Sequence, residues 1–203
     1  MTLSVLNAAT NTTDSLTIST SGTTTRALGT VVASGVETVN FTTSSSTATT
    51  AQVHTASLTD TALKSLKISG SAGLNITQTS TAITSFDASG VTAGGVQWQA
   101  AALAAAATIS GGAGNDVIDA ANATKNLDLQ GNAGQDTLTG GAGNDTITDT
   151  STTTPTSQTF ANGNNLSGGA GNDVITGGDG LDTISGGADN DSITAGGGND
   201  VIT

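Results

Sequence analysis

Seven aspartates recur at one fixed place in a repeating unit of this chain. Four consecutive nine-residue units in Gly168–Thr203 read GGAGNDVIT, GGDGLDTIS, GGADNDSIT and AGGGNDVIT. Similar units occur at Gly111–Asp119, Gly131–Thr139 and Gly140–Thr148. The sixth place of these units holds Asp116, Asp136, Asp145, Asp173, Asp182, Asp191 and Asp200. Calcium takes its ligands from carboxylate and carbonyl oxygens, so carboxylates repeated inside glycine-rich turns predict calcium ligation.

The nine-residue unit also predicts the element that positions each aspartate. Its first six places must turn, which glycine permits because positive φ costs it little. Its last three places form a short strand whose middle residue, an aliphatic at the eighth place, points inward. Two units make one coil, so Asp173 is expected to stack with Asp191, and Asp182 with Asp200. The backbone carbonyls expected to complete the sites are those near Gly111, Gly140, Gly168, Gly177 and Gly186.

The glycine, aspartate and aliphatic places of these units together resemble the RTX, or haemolysin-type calcium-binding, nonapeptide repeat. The resemblance implies a parallel β-roll that binds several calcium ions. A flexible glycine-rich linker is the alternative, but a linker gives no reason for an aliphatic residue at every eighth place. The asparagines that precede the aspartates, such as Asn172, are interpreted as turn formers because asparagine tolerates left-handed geometry.

Composition favours a solenoid over a conventional core. The chain has 203 residues, of which 34% are hydrophobic and 2% aromatic, and it has no cysteine. A solenoid needs only a narrow aliphatic seam, because each coil packs on its neighbours. Nearly all of the net charge of −12 lies from Gly111 onward, where twelve aspartates face one lysine, Lys125. This charge disfavours compaction unless counter-ions bind, and it makes nucleic acid a poor partner.

Inward-pointing residues spaced by about ten positions indicate that the coils begin upstream of the glycine motifs. They are Ile68, Ile76, Phe86, Val96, Ile109, Ile118, Leu129, Leu138 and Ile147. The predicted fold is therefore all-β, a parallel β-roll or β-helix solenoid with Thr/Ser-rich coils upstream. Three segments are expected: a Thr/Ser-rich β segment (1–67), metal-free coils closed by Thr, Ser and Asn hydrogen bonds (68–110), and the calcium-binding roll (111–203).

Three stretches fit this scheme less clearly. Leu58–Lys67 suits either a short helix or a strand, and Ala100–Ala107 suits one or two helical turns or an irregular coil. An irregular insertion is expected at 149–167, because Pro155 interrupts it and Asn164 replaces the aspartate of the sixth place. Calcium binding should be weaker beside this insertion. On this interpretation Asp191→Ala is more harmful than Asp149→Ala.

No residues suggest catalysis, so the chain is not expected to be an enzyme. His54 is the only histidine, and neither an H-E-x-x-H nor a G-x-S-x-G motif is present. His54 is interpreted as a solvated or packing residue. Trp98 is interpreted as a core or edge aromatic, with a carbohydrate platform as the alternative. The sequence predicts neither a targeting segment nor insertion in a membrane.

The Thr-rich phrases GVETVNFTT, LKSLKISGSAGLNIT and ITSFDASGV resemble segments that precede RTX repeats in bacterial surface-layer (S-layer) proteins. This resemblance implies a secreted, cell-surface structural protein that self-associates into a lattice or filament. A cell-surface polysaccharide is a further expected partner, through regions outside this chain. Two alternatives stay open. One is a stalk or binding segment of a secreted RTX adhesin, and the other is the folding and secretion module of an RTX enzyme or toxin.

Overall fold

The computed structural model describes residues 3–4, 14–22, 24–45, 53–150 and 163–203. Within these residues the regular elements are nineteen β-strands in two sheets. The ten-stranded sheet holds β1 (Leu3–Ser4), β3 (Ala27–Val32), β5 (Val53–Thr59), β7 (Gly73–Gln78), β9 (Gln97–Gln99), β11 (Val117–Asp119), β13 (Thr137–Thr139), β15 (Asn165–Ala170), β17 (Thr183–Ala188) and β19 (Val201–Ile202). The nine-stranded sheet holds β2 (Ser15–Gly22), β4 (Thr38–Ser45), β6 (Ser65–Gly70), β8 (Ser85–Val91), β10 (Ala107–Ser110), β12 (Leu127–Gln130), β14 (Thr146–Thr148), β16 (Val174–Thr176) and β18 (Ser192–Thr194).

Successive strands alternate between the two sheets, and each strand pairs in parallel with the next strand of its own sheet. One strand from each sheet, with the two turns that join them, makes one coil of a solenoid. The strands β8, β10 and β12 pair in sequence, as do β9, β11 and β13, so the stack passes through Gly111 without interruption. The predicted all-β parallel solenoid and its continuity through Gly111 are confirmed.

Coil length changes along the stack. Stacked partners are 18 residues apart at Asp182 and Asp200, as two nine-residue units require. They are 20 residues apart at Asp116 and Asp136. The separation rises to 28 between Asp136 and Asn164, so an insertion lies in the coil that contains residues 149–163. The strands on either side keep their register, and the predicted loop around Pro155 lies outside the described residues.

A seam of buried aliphatic and aromatic side chains runs between the two sheets. The nine inward-pointing residues predicted from the sequence are all at most 2% exposed. Phe86 and Trp98, which come from opposite sheets, stack with ring centroids 4.4 Å apart. The hydrophobic effect therefore stabilises every coil through a few side chains that contact the coils above and below.

The upstream coils are closed by polar side chains that bind backbone groups. Ser80 donates from Oγ to the carbonyl of Leu63 at 2.8 Å, and Thr43 donates to the carbonyl of Ala72. The buried carboxylate of Asp60 accepts the N–H groups of Val36 and Ala62 at 3.2 and 2.8 Å. The Ser and Thr bonds match the prediction for these coils, whereas the contribution of Asp60 was not foreseen.

The ambiguous stretches resolve without helices in the described residues. Leu58–Lys67 contains the end of β5 and the start of β6, so it contributes to strands. Residues 100–106 form an irregular coil that buries Leu103 before β10 begins at Ala107. The expected boundary at 67/68 falls inside β6, and the stack crosses it. None of the described residues forms a helix long and apolar enough to cross a membrane.

Candidate calcium sites

The repeated aspartates form two columns, one along each edge of the solenoid. The first column precedes the strands of the ten-stranded sheet and contains Asp116, Asp136, Asn164, Asp182 and Asp200. The second column precedes the strands of the nine-stranded sheet and contains Asp145, Asp173 and Asp191. In each column Oδ1 of one residue accepts the N–H of the residue stacked one coil earlier. Asp173 binds Asp191 in this way, and Asp182 binds Asp200, both at 3.0 Å. The predicted stacking is therefore present.

The second carboxylate oxygen, Oδ2, faces the first glycine of its own repeat. A methyl group added to Gly168 would collide with Oδ2 of Asp173 and would lie 2.6 Å from the carbonyl oxygen of Gly186, one coil further on. A methyl group added to Gly177 would lie 2.7 Å from Oδ2 of Asp182 and would collide with the carbonyl oxygen of Ala195. Because the first glycine has no side chain, the space beside it stays open. The Oδ2 atom of the same repeat and a carbonyl oxygen of the next coil both face this space.

Gly111 and Gly140 show the same arrangement. Next to Gly111 the two oxygens are Oδ2 of Asp116 and the carbonyl of Gly131, and next to Gly140 they are Oδ2 of Asp145 and the carbonyl of Gly168. In these two coils Oδ2 also accepts a backbone N–H, at 2.6 Å from Gly112 and 2.9 Å from Gly141. Glycine is therefore required at the first place because the two oxygen atoms approach it too closely for a larger residue, and not only because the chain turns there.

These carboxylates are buried without a compensating positive charge. Asp173 and Asp182 are each 1% exposed, and their Oδ2 atoms have no hydrogen-bond partner. Among the described residues the one salt bridge joins Lys67 to Asp87, on the outer face of the upstream coils. A buried anion without a partner is costly, so this geometry requires a cation or a proton at Oδ2.

Burial shifts the titration of the same groups. It raises the pKa of Asp116 to about 6. Burial raises the pKa of Asp136 to about 8, and the neighbouring carboxylates of Asp116 and Asp149 contribute to this increase. The pKa values of Asp145, Asp173 and Asp182 are also raised, again mainly by burial. Each shift records that the negative form is unfavourable in the absence of a cation.

The donor set fits calcium and no softer metal. In the described part of the chain no three His, Cys, Asp or Glu side chains converge on one point. The groups that converge are carboxylate and backbone carbonyl oxygens, the hard ligands that calcium prefers. The fold and the donor set together define a parallel β-roll built to bind calcium at its turns.

Comparison with known families agrees with this class. A family model of the RTX calcium-binding nonapeptide repeat matches the chain in four copies, at residues 106–122, 128–148, 160–192 and 167–202. The matched residues are therefore RTX repeats, and RTX nonapeptide repeats bind calcium ions. No curated protein and no solved structure matched the chain.

Sequence reasoning missed Asp149. This residue follows β14 and is 1% exposed, and its N–H donates to the carbonyl of Thr176 at 2.9 Å. Gly131 and Gly177, in the coils before and after it, use the same type of backbone bond. Asp149 therefore occupies the first place of a repeat, where the other repeats have glycine or alanine. The carboxylate of Asp149 is buried and its Oδ2 faces Gly131 beside Oδ2 of Asp136, while the greater harm expected from Asp191→Ala than from Asp149→Ala stays a prediction.

Asn164 stands in the column as predicted, and the structure shows what replaces the aspartate. Its Oδ1 accepts the N–H of Asp136 at 2.8 Å, as an aspartate would. Its Nδ2 donates to the carbonyl oxygen of Gly177 at 3.1 Å. At Asp116 and Asp182 in the same column, the corresponding carbonyl lies near Oδ2 of the aspartate. The amide N–H of Asn164 thus occupies the position of a cation, which agrees with the expectation of weaker calcium binding here.

The two other residues singled out from the sequence are packing residues. His54 is fully buried and its Nδ1 accepts the N–H of Arg26 at 3.1 Å. Trp98 is 2% exposed and stacks on Phe86. Both therefore lie in the core, so Trp98 cannot offer its face to a carbohydrate.

Proposed function

We propose that this chain is a structural segment of a secreted protein, which calcium folds into a rigid β-roll outside the cell. The observation that carries the proposal is the pair of columns in which buried Oδ2 atoms face carbonyls of the next coil. Calcium placed there neutralises the carboxylates and ties successive coils together. In a compartment poor in calcium the carboxylates repel one another, which favours an extended chain.

The energetics require several sites to act together. A ligand that binds only the folded state stabilises it by RT ln(1 + [L]/Kd). Extracellular calcium modules have Kd values of about 10⁻⁴–10⁻³ M, so each site contributes on the order of 1 kcal/mol at millimolar calcium. The stabilisation from several sites along the two columns adds up. The sites also act cooperatively, because each coil that binds calcium orders the turns of the next coil. The proposed result is a cooperative transition within a narrow calcium range.

Within this function we propose assembly into a cell-surface array of the S-layer type. The support is the resemblance of the Thr-rich upstream segments to those of S-layer proteins, together with two parallel sheets that stack coil on coil. A stalk or binding segment of an RTX adhesin, and the folding module of an RTX enzyme or toxin, are the competing assignments. We further propose that the chain has no catalytic activity of its own, since its one histidine is buried in the core.

The first test is circular dichroism during a calcium titration of the metal-free chain. Strand signal should rise cooperatively in the submillimolar to millimolar range, and magnesium should not replace calcium. A strand signal that excess chelator leaves unchanged would refute the calcium-dependent function. Electron microscopy in millimolar calcium then separates the assignments: ordered sheets support the array, whereas dispersed rods refute it.

A further inference from the structure

One coil of the solenoid has its aspartate at the first place of the repeat and not at the sixth. In the other repeats the first place holds glycine or alanine and the sixth place holds aspartate. In this coil the first place holds Asp149 and the sixth place holds Asn164. The carboxylate is therefore not lost from the coil but moved to the other end of the turn.

The moved carboxylate approaches the site of the preceding coil. A methyl group added to Gly131 would lie 2.9 Å from Oδ2 of Asp149 and would collide with Oδ2 of Asp136. In the ordinary repeats this open point is approached by one carboxylate oxygen and one carbonyl oxygen. Here two carboxylate oxygens approach it, one from each of two adjacent coils.

The environment of this pair calls for a cation. Asp136 is 1% exposed, its Oδ1 accepts the N–H of Asp116 at 2.8 Å, and its Oδ2 receives no hydrogen bond from any N–H group. The stacked residue in the next coil is Asn164, whose Oδ1 is already bound to the N–H of Asp136. The Oδ2 atom of Asp136 is thus a buried oxygen that accepts no N–H and that faces, together with Oδ2 of Asp149, the open point beside Gly131.

We infer that Asp149 is a direct calcium ligand, and that Asp136 and Asp149 together form a two-carboxylate calcium site at Gly131, to which the first place of the repeat contributes a carboxylate that the other repeats do not have there. This inference rests on the proposed calcium-dependent function. Ligand charge is a main determinant of calcium affinity, so Asp149 strengthens calcium binding at a place where the stacked sixth-place residue, Asn164, carries no charge. The site lies directly before the coil that contains the inserted residues, where it holds the strands on either side of them in register.

The test compares Asp149→Asn with Asp128→Asn in the full chain. Both variants remove one negative charge, but Asp128 lies in β12 with its side chain toward Gln130, outside the columns. Calcium binding is measured by titration calorimetry and equilibrium dialysis, with calcium alone as the ligand. Asp149→Asn should lose one tight ion, or bind it about tenfold more weakly, whereas Asp128→Asn should match the wild type.

A second measurement separates a ligand from a residue needed only for folding. Trimethylamine N-oxide promotes folding of the metal-free chain, so its folding midpoint is measured in excess chelator. Asp149→Asn should need no more of this osmolyte than the wild type, because it removes a carboxylate that repels Asp136. If Asp149→Asn fails to fold, Asp149→Gly restores the ordinary first-place residue and should give the same calcium result.

The outcomes are distinguishable. A wild type that binds no calcium refutes the proposed function as a whole. A wild type that binds calcium, with Asp149→Asn equal to Asp128→Asn in number of ions and affinity, refutes only the two-carboxylate site and leaves a carboxyl pair sharing a proton. A higher osmolyte requirement for Asp149→Asn identifies a structural role and also overturns the inference.

Discussion

Replacing Asp173 by asparagine should lower the stability of the folded chain in calcium. In the absence of calcium the same replacement should raise it. Asp173 is 1% exposed, its Oδ1 accepts the N–H of Asp145 at 2.7 Å, and its Oδ2 lies beside the carbonyl of Gly186. Asn164 shows how an asparagine fits such a place: it keeps the Oδ1 bond and donates from Nδ2 to the next carbonyl. The variant should therefore preserve the fold and remove only the calcium ligand.

The magnitudes follow from these contacts. With a site Kd of about 10⁻⁴ M, 1 mM calcium stabilises the folded chain by about 1.4 kcal/mol per site. Losing that site should lower the midpoint of thermal unfolding by about 3–6 °C for a chain of this size. Without calcium, the new amide bond adds about 0.5–1.5 kcal/mol and a buried charge disappears. The metal-free variant should thus fold at a lower osmolyte concentration than the wild type.

The assay is thermal unfolding in 1 mM calcium, paired with osmolyte-induced folding in chelator, both followed by circular dichroism. Asp189→Asn is the matched control, since Asp189 is exposed between β17 and β18, two residues before the Asp191 that stacks on Asp173, and asparagine tolerates its φ of 81°. The reasoning is refuted if Asp173→Asn lowers stability equally in both conditions, or if the control shows the same reversal.

Three other perturbations test separate parts of the account. In chelator, lowering the pH from 8 toward 5 should increase the strand signal measured by circular dichroism. The pKa values of Asp116 and Asp136 are raised in the folded state, which therefore binds protons more tightly than the unfolded state. A strand signal that falls over this pH range would contradict the burial of these carboxylates. Gly168→Ala should eliminate one bound calcium ion in equilibrium dialysis, because its methyl group fills the point between Asp173 and Gly186. Gly197→Ala should bind as many calcium ions as the wild type, because its methyl group would contact only the side chain of Asp179. Phe86→Ala should lower the free energy of unfolding in urea by about 3–5 kcal/mol, by the same amount with and without calcium. A loss that depends on calcium would show that the stability of the upstream coils depends on the metal.

The regular part of the site was predictable because the nine-residue period fixes which residues stack. Once two units make one coil, Asp173 must lie over Asp191, and the eighth-place aliphatic residues must face the seam. The upstream coils followed from inward residues at similar spacing, since a hydrophobic seam constrains register even where the turns differ. The stacking of distant residues in this solenoid therefore follows from the length of the repeat.

The residues that sequence reasoning missed are those whose place depends on a partner in another coil. Counting nine from Gly140 places Asp149 at the first position of a unit, but the long coil that follows hides this register. Whether its carboxylate reaches Asp136 depends on the stacking of the coils. Asp60 was missed for a similar reason, because its two backbone partners, Val36 and Ala62, lie before strands of two adjacent coils and in segments without the glycine motif.

Hydrogen exchange measured by mass spectrometry shows whether calcium holds residues 111–203 in the folded state. The strands from β13 to β19 should be protected in millimolar calcium and should exchange rapidly in excess chelator. Over the same change, protection of β4, β6 and β8 should persist, because those coils are closed by side-chain hydrogen bonds and an apolar seam. Protection of β13 to β19 that is equal in calcium and in chelator would contradict this role of calcium.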